Sequence, residues 1–211
     1  MTYGVTGRKR KSFFGRVFFF LILIVLLVVQ SFVLLEIIIP RLKVKKVVEV
    51  AMPDWIDEQI IDVDGTSRRG ESLEGIKDIV IHYIGNPGTT AQQNRNYFDS
   101  DASQVSAHFI VGLDGEIIQC IPLGEKSSAS NWRNKNTISI EVCHPSASGE
   151  FTEETYNSLV KLTAWLCEIC VLNENDVIRH YDITNKKCPL YFVENEDAWE
   201  QFKEDIKEYG Q

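Results

Sequence analysis

From Val17 to Leu35 the chain runs nineteen residues without a charge, VFFFLILIVLLVVQSFVLL, and Ile37, Ile38 and Ile39 extend the run past Glu36. A helix of that length crosses the ~30 Å hydrocarbon core of a bilayer, so the pattern predicts a transmembrane helix over residues 17–39. A soluble helix of this composition would have to hide every face. Arg8, Lys9, Arg10, Lys11 and Arg16 precede the run, and Arg41, Lys43, Lys45 and Lys46 follow it. The compact leading cluster places the tail, residues 1–16, in the cytoplasm. The run is longer than the core of a cleaved signal peptide, and no small-x-small site follows within range. The expectation is a retained signal anchor: a single-pass protein of the cell membrane whose remainder lies on the extracytoplasmic face.

Residues 40–72 alternate charges and turn formers around one short apolar run, 60–63, and read as a stalk or linker. From 73 to 211 the pattern changes to that of a folded domain. KDIVIHYIG, 77–85, is a near-continuous apolar run ending in Gly-Asn-Pro-Gly, as expected of a strand buried on both faces. A helix is expected over 90–99. VSAHFIVG and EIIQCIP, joined through Asp114-Gly115, predict a hairpin. TISIEVC, 137–143, alternates, with Ile138, Ile140 and Val142 on one face and Ser139, Glu141 and Cys143 on the other. Thr152 has the character of an N-cap, with Glu153 and Glu154 in the first turn. The helix after it carries Leu159, Leu162, Leu166 and Ile169 at helical spacing and runs to about Val171. VIRH, 177–180, predicts a short strand, and 196–209 an amphipathic terminal helix. Strands interleaved with helices make an α/β domain.

Charge divides the chain in the same place. Residues 1–50 hold nine basic and two acidic side chains, whereas the rest hold 13 and 28, a net of −15. A domain this acidic repels nucleic acid. Of the five cysteines, Cys167 and Cys170 sit on adjacent turns of one predicted helix, and Cys120 and Cys143 lie on apolar strands where they pack as small hydrophobes. No essential disulfide is expected.

Two of the four histidines, His82 and His180, stand at the ends of predicted strands, and Cys188 follows in the loop HYDITNKKCP. Two imidazoles and a thiolate are the three protein ligands that a catalytic zinc requires if its fourth position is to stay open. The order of blocks, a strand-final His before Gly-Asn-Pro, then VSAHFIVGLDGEIIQCIP, NTISIEV and RHYDITNKKCP, resembles the zinc-dependent N-acetylmuramoyl-L-alanine amidases of the T7 lysozyme and peptidoglycan-recognition type, over about residues 75–205. That resemblance implies a mixed central sheet flanked by helices, Zn(2+) held by His82, His180 and Cys188, and hydrolysis of the amide between N-acetylmuramic acid and the L-alanine of the stem peptide.

Glu141 matches the glutamate that some branches use as general base, and its strand face supports that role; the alternative is a solvated strand residue. Lys186 matches a lysine held to stabilise the oxyanion. The T7-like branch carries a tyrosine just before the hairpin histidine, where this chain has Ala107, which moves the weight of proton transfer to Glu141. His108 is expected to be a structural strand residue. Asn131, Trp132 and Asn136 lie in a loop where relatives contact substrate, although Trp132 is as readily a packing residue. His144 either lines the groove or merely ends a strand. The partners implied are peptidoglycan and, through residues 17–39, the cytoplasmic membrane, with the protein a monomer. The rival readings are a non-catalytic peptidoglycan-binding module and a hydrolase of another peptidoglycan amide.

Overall fold

The computed structural model describes residues 13–63 and 66–210. The basic cluster Arg8 to Lys11 lies outside the described residues. The chain divides into two compact units, residues 1–39 and 40–211. In the first, helix α1 (Phe13–Val33) leads into a π-helical turn, Leu34–Ile38. The apolar side chains of α1 from Val17 to Val33 are exposed throughout. The helical stretch is long and apolar enough to cross a membrane.

The second unit begins at Pro40, the second residue of α2 (Ile39–Val47), and differs from the stalk expected over 40–72. Pro40 is buried, its carbonyl accepts the Ile76 N–H at 3.1 Å, and Val47, Ile56 and Ile61 are buried with the core. A side chain on Gly75 would place its Cβ 2.6 Å from the Pro40 ring, so this seat requires glycine. Trp55 packs edge-on against Trp165, centroids 5.8 Å apart. Strand β1 (Asp57–Glu58) then joins the sheet. Short apolar residues scattered among charges resemble a linker in sequence because each buries against a different, distant partner.

The remaining elements are β2 (Asp78–Tyr83), α3 (Ala91–Phe98), β3 (Phe109–Val111), β4 (Ile117–Gln119), β5 (Thr137–Val142), α4 (Glu153–Cys170), β6 (Val177–Arg179), α5 (His180–Thr184), α6 (Leu190–Glu194) and α7 (Glu196–Tyr209). Among the described residues, the strands form one mixed sheet in the order β1-β4-β3-β5-β2-β6. Its pairs are parallel except for the β3/β4 hairpin. The hairpin closes over 112–116, with Gly115 at φ +81°, the left-handed conformation that glycine adopts at least cost.

Helix boundaries follow local chemistry. At α3, Thr90 and Gln93 form a reciprocal capping box, which satisfies N–H groups otherwise orphaned at a helix start. At α4 the Thr152 hydroxyl accepts the Thr155 N–H. The stripe Leu159, Leu162, Leu166 and Ile169 is buried against Ile79, Ile81, Ile138 and Ile140, together with Phe192, Trp199 and Phe202. The opposite face of the sheet holds a smaller cluster around Ile61, Phe98, Ile110, Ile118 and Cys143. All five cysteines are free.

Candidate metal centre

β2 and β5 pair in parallel register, which sets His82 directly beside Glu141. Side chains alternate along a strand, so both residues leave the sheet on the face opposite Ile81 and Ile140. His180 is not the last residue of a strand, as the sequence predicts. β6 ends at Arg179, and His180 opens α5. The mostly buried Arg179 guanidinium fixes this turn by binding Asp182 at 3.1 Å, Glu196 at 2.7 Å and the Phe192 carbonyl at 3.1 Å. The rings of His82 and His180 consequently lie 4.6 Å apart. Beyond α5 the chain folds back, the Tyr181 N–H donating to the Cys188 carbonyl at 2.9 Å, and Cys188 Sγ comes to 3.9 Å from His82 Nδ1. The Cys188-Pro189 peptide bond is cis.

One ligand atom from each of His82, His180 and Cys188 lies within 4.8 Å of the other two, and all three residues are buried. Several observations fit this trio to a divalent cation. His82 Nε2 sits 3.1 Å from Ser130 Oγ, leaving Nδ1 to face the centre. His180 Nε2 is buried without a hydrogen-bond partner, a cost that a folded protein seldom leaves uncompensated. Burial holds both imidazoles below their ordinary pKa, with Lys186 adding to the effect and His180 also acting on His82; both therefore stay neutral with lone pairs available. Burial also pushes the Cys188 thiol up to about 12, with Glu141 acting in the same direction. A coordinated cation removes that obstacle, because it deprotonates the thiol outright. Zinc bonds of about 2.0–2.3 Å put tetrahedral donors roughly 3.5 Å apart. The Cys188–His82 pair at 3.9 Å is close to this, and the donors of the trio, all within 4.8 Å of one another, need only draw inward to meet it.

Glu141 Oε1 lies 3.9 Å from His82 Nδ1, and its Oε2 is buried without a partner. Burial pushes this carboxyl up to about 8, against the opposing pull of the Lys186 cation. A carboxylate with such a pKa exchanges protons near neutrality. Lys186 itself is exposed and lines a groove of about 390 Å³ with His180, Asn131, Arg69 and Lys126. Lys187 instead pairs with Glu194 at 2.8 Å.

The other sequence candidates separate. Asn131 reaches the groove, and Trp132 next to it is 65% exposed, with the Arg133 guanidinium 5.3 Å from its ring; it is not a packing residue. Asn136 is not among the groove lining, and its Oδ1 accepts the Arg133 Nε–H at 3.0 Å. His144 is corrected to a structural residue: it is buried, and both ring nitrogens lie 2.6 Å from backbone carbonyls, those of Ser146 and Ile84. His108 is likewise buried, its Nδ1 accepting the Ser139 N–H at 3.0 Å. The sequence reading missed Ser130 behind His82, and it missed Arg69 and Lys126 in the groove. The Ser-rich stretch 127–130 was the available signal for Ser130; nothing local marks the two cations.

The family model described as N-acetylmuramoyl-L-alanine amidase, amidase type 2, matches residues 72–190, a span that contains His82, Glu141, His180 and Cys188. Among curated relatives, N-acetylmuramoyl-L-alanine amidase BlyA of Bacillus subtilis (strain 168) is 34% identical over 168 residues, covering 70% of this chain and 45% of its own. N-acetylmuramoyl-L-alanine amidase CwlL of Bacillus licheniformis is 30% identical over 166 residues, covering 71% and 46%. The chain thus spans less than half the length of these curated relatives. The solved catalytic domain of XlyA superposes with a TM-score of 0.63 at 25% identity, covering 72% of this chain and 98% of that one. The chain belongs to the N-acetylmuramoyl-L-alanine amidase family, type 2.

Proposed function

We propose that this protein is a membrane-anchored, zinc-dependent N-acetylmuramoyl-L-alanine amidase that hydrolyses the amide between N-acetylmuramic acid and the L-alanine of the stem peptide. The observation that carries the reading is the convergence of two neutral imidazoles and a thiol beside a buried carboxylate, within the span matched by the family. His82, His180 and Cys188 would hold the metal. Zinc, when bound, supplies Lewis acidity that polarises a carbonyl and acidifies a water.

The chain's own groups account for the rest. Glu141, its carboxyl raised by burial, takes a proton from the attacking water as the new C–O bond forms. It returns that proton to the departing alanine nitrogen as the C–N bond breaks. Lys186, whose cation acts on Glu141, His82 and His180, offsets the negative charge that develops on the carbonyl oxygen. The groove holding Asn131 and Lys186 receives the glycan and stem peptide, with the exposed Trp132 next to Asn131 in sequence offering a further contact.

Residues 17–39 form the anchor in this reading. A helix exposing apolar side chains on every face has no favourable surroundings in water and is satisfied by lipid. Residues 1–16 form the cytoplasmic tail and 40–211 the extracytoplasmic domain, which starts at its seat on Pro40 without a free stalk through residue 63.

The test is digestion of purified peptidoglycan by the full chain in detergent micelles, scoring new alanine amino termini and new reducing sugar ends. Amidase action releases only the former. Wall binding without either product identifies a recognition module instead, and amino termini other than alanine identify a hydrolase of another amide.

A further inference from the structure

Behind the metal centre runs a chain of buried hydroxyls that the proposed chemistry does not use directly. Ser130 Oγ lies 3.1 Å from His82 Nε2 and 3.1 Å from Ser139 Oγ. Ser127 Oγ donates to the same Ser139 oxygen at 3.3 Å. Ser130 and Ser139 are fully buried, and Ser127 nearly so. Burying a hydroxyl costs about 1–3 kcal/mol unless it is hydrogen-bonded, and alanine or valine would fill the same space at no such cost. Three hydroxyls in series, ending on one imidazole nitrogen, therefore call for a role beyond packing.

Proton accounting gives that role. A cation held at Nδ1 requires the His82 ring proton on Nε2. Either oxygen of the Ser130–Ser139 pair can donate, and with Ser130 donating to Ser139 its own oxygen is the acceptor 3.1 Å from that Nε2–H. The lone pair is then fixed on Nδ1, the atom 3.9 Å from Cys188 Sγ. The serine itself is held rigidly. Its N–H donates to Asn134 Oδ1 at 2.6 Å, as does that of Ala129 at 3.1 Å. Ser139 is held too, by its N–H bond to His108 Nδ1. The loop that lines the groove through Asn131 and Asn134 is in this way bonded to the ring that faces the centre.

We propose that Ser130 is a positioning residue that fixes the tautomer and ring angle of His82 for metal binding and ties that ligand to the groove loop 127–136. The inference rests on the reading of His82, His180 and Cys188 as a metal site. Outer partners of this kind change metal affinity about 10- to 100-fold when removed.

The test uses the full chain in detergent micelles and measures zinc affinity by competition with a chromophoric chelator, alongside urea unfolding of the metal-free protein. Ser130→Ala weakens zinc binding about 10- to 100-fold. Ser130→Thr, which keeps the hydroxyl, returns it to within about 3-fold of the parent. A serine that merely packs lowers the unfolding midpoint of the alanine variant and leaves zinc affinity unchanged, which overturns the proposal, as does a threonine variant as weak as the alanine one. If Ser130→Ala does not fold, Ser139→Ala carries the test: it removes the hydroxyl partner of Ser130, and weaker zinc binding than the parent is expected, unchanged affinity being the contrary result. Absence of zinc binding in the parent overturns the metal reading itself and this inference with it. Tight parent binding with an equally tight Ser130→Ala variant overturns this inference alone.

Discussion

On one face of β5, Ile138, Ile140 and Val142 share an apolar cluster with Leu159, Leu162 and Leu166 of α4; on the other, Ser139 meets two serine hydroxyls and Glu141 meets an imidazole at 3.9 Å. Both faces are largely closed to water. The first is held by area, where each buried side chain contributes about 1.5–3 kcal/mol and shape matters more than identity. The second keeps two polar atoms, Glu141 Oε2 and His180 Nε2, buried without partners. Such uncompensated atoms cost stability, and under the proposed function a cation and a proton are what would satisfy them. One strand thus divides by side-chain parity: odd-numbered positions place polar groups beside the candidate metal centre and even-numbered ones build the apolar core.

The sharpest break of this comparison is expected at Cys188, where serine replaces a soft thiolate with a neutral hydroxyl. Cleavage falls below detection and zinc content drops, while sedimentation with insoluble peptidoglycan persists because the groove does not depend on the metal. Next comes Glu141→Gln, which keeps shape but cannot take the proton. Turnover falls about 10²- to 10⁴-fold with zinc retained, read from alanine amino-group release and metal analysis of one sample. Near-parental turnover reassigns Glu141 to structure.

Across the strand, Ile140→Ala inverts the pattern. Unfolding free energy in urea falls by about 2–5 kcal/mol through cavity formation, and turnover per folded molecule stays at the parental rate. A turnover loss matching that of Glu141→Gln would dissolve the division between the faces.

The smallest effect is in pH dependence of the metal-free protein. His108 is held at about 4 by burial, so between about 6.5 and 4 the unfolded state binds more protons and stability falls as the pH falls. His82 and His180 act in the same direction. Glu141, raised to about 8, binds its proton more tightly when folded, so from about 4.5 to 8 it lowers stability as the pH rises. Urea midpoints across pH 4–8 should therefore lose their alkaline decline in Glu141→Gln and part of their acid decline in His108→Gln.

Much of this was legible locally. Parity in TISIEV separated Glu141 from the core, and Thr152 and the leucine stripe gave α4 to within a residue of its ends, because capping and amphipathicity are properties of neighbouring residues. His180 was found, although on the wrong kind of element. A short strand and the first turn of a helix begin alike, and what distinguishes them is Arg179 bonding to Glu196, 17 residues away.

The sequence by itself determined the apolar span, the α/β alternation and the three residues that offer nitrogen and sulfur, since each depends on composition or short-range periodicity. Only the tertiary structure decided that residues 40–63 pack on the domain, that His144 is bonded to backbone rather than facing the groove, and that Ser130 stands behind His82. The physical reason is the same in all three cases. Pro40 meets Gly75, Trp55 meets Trp165, His144 meets Ile84 and Ser130 meets His82, pairings 35 to 110 residues apart whose energies exist only once the sheet has brought both partners together.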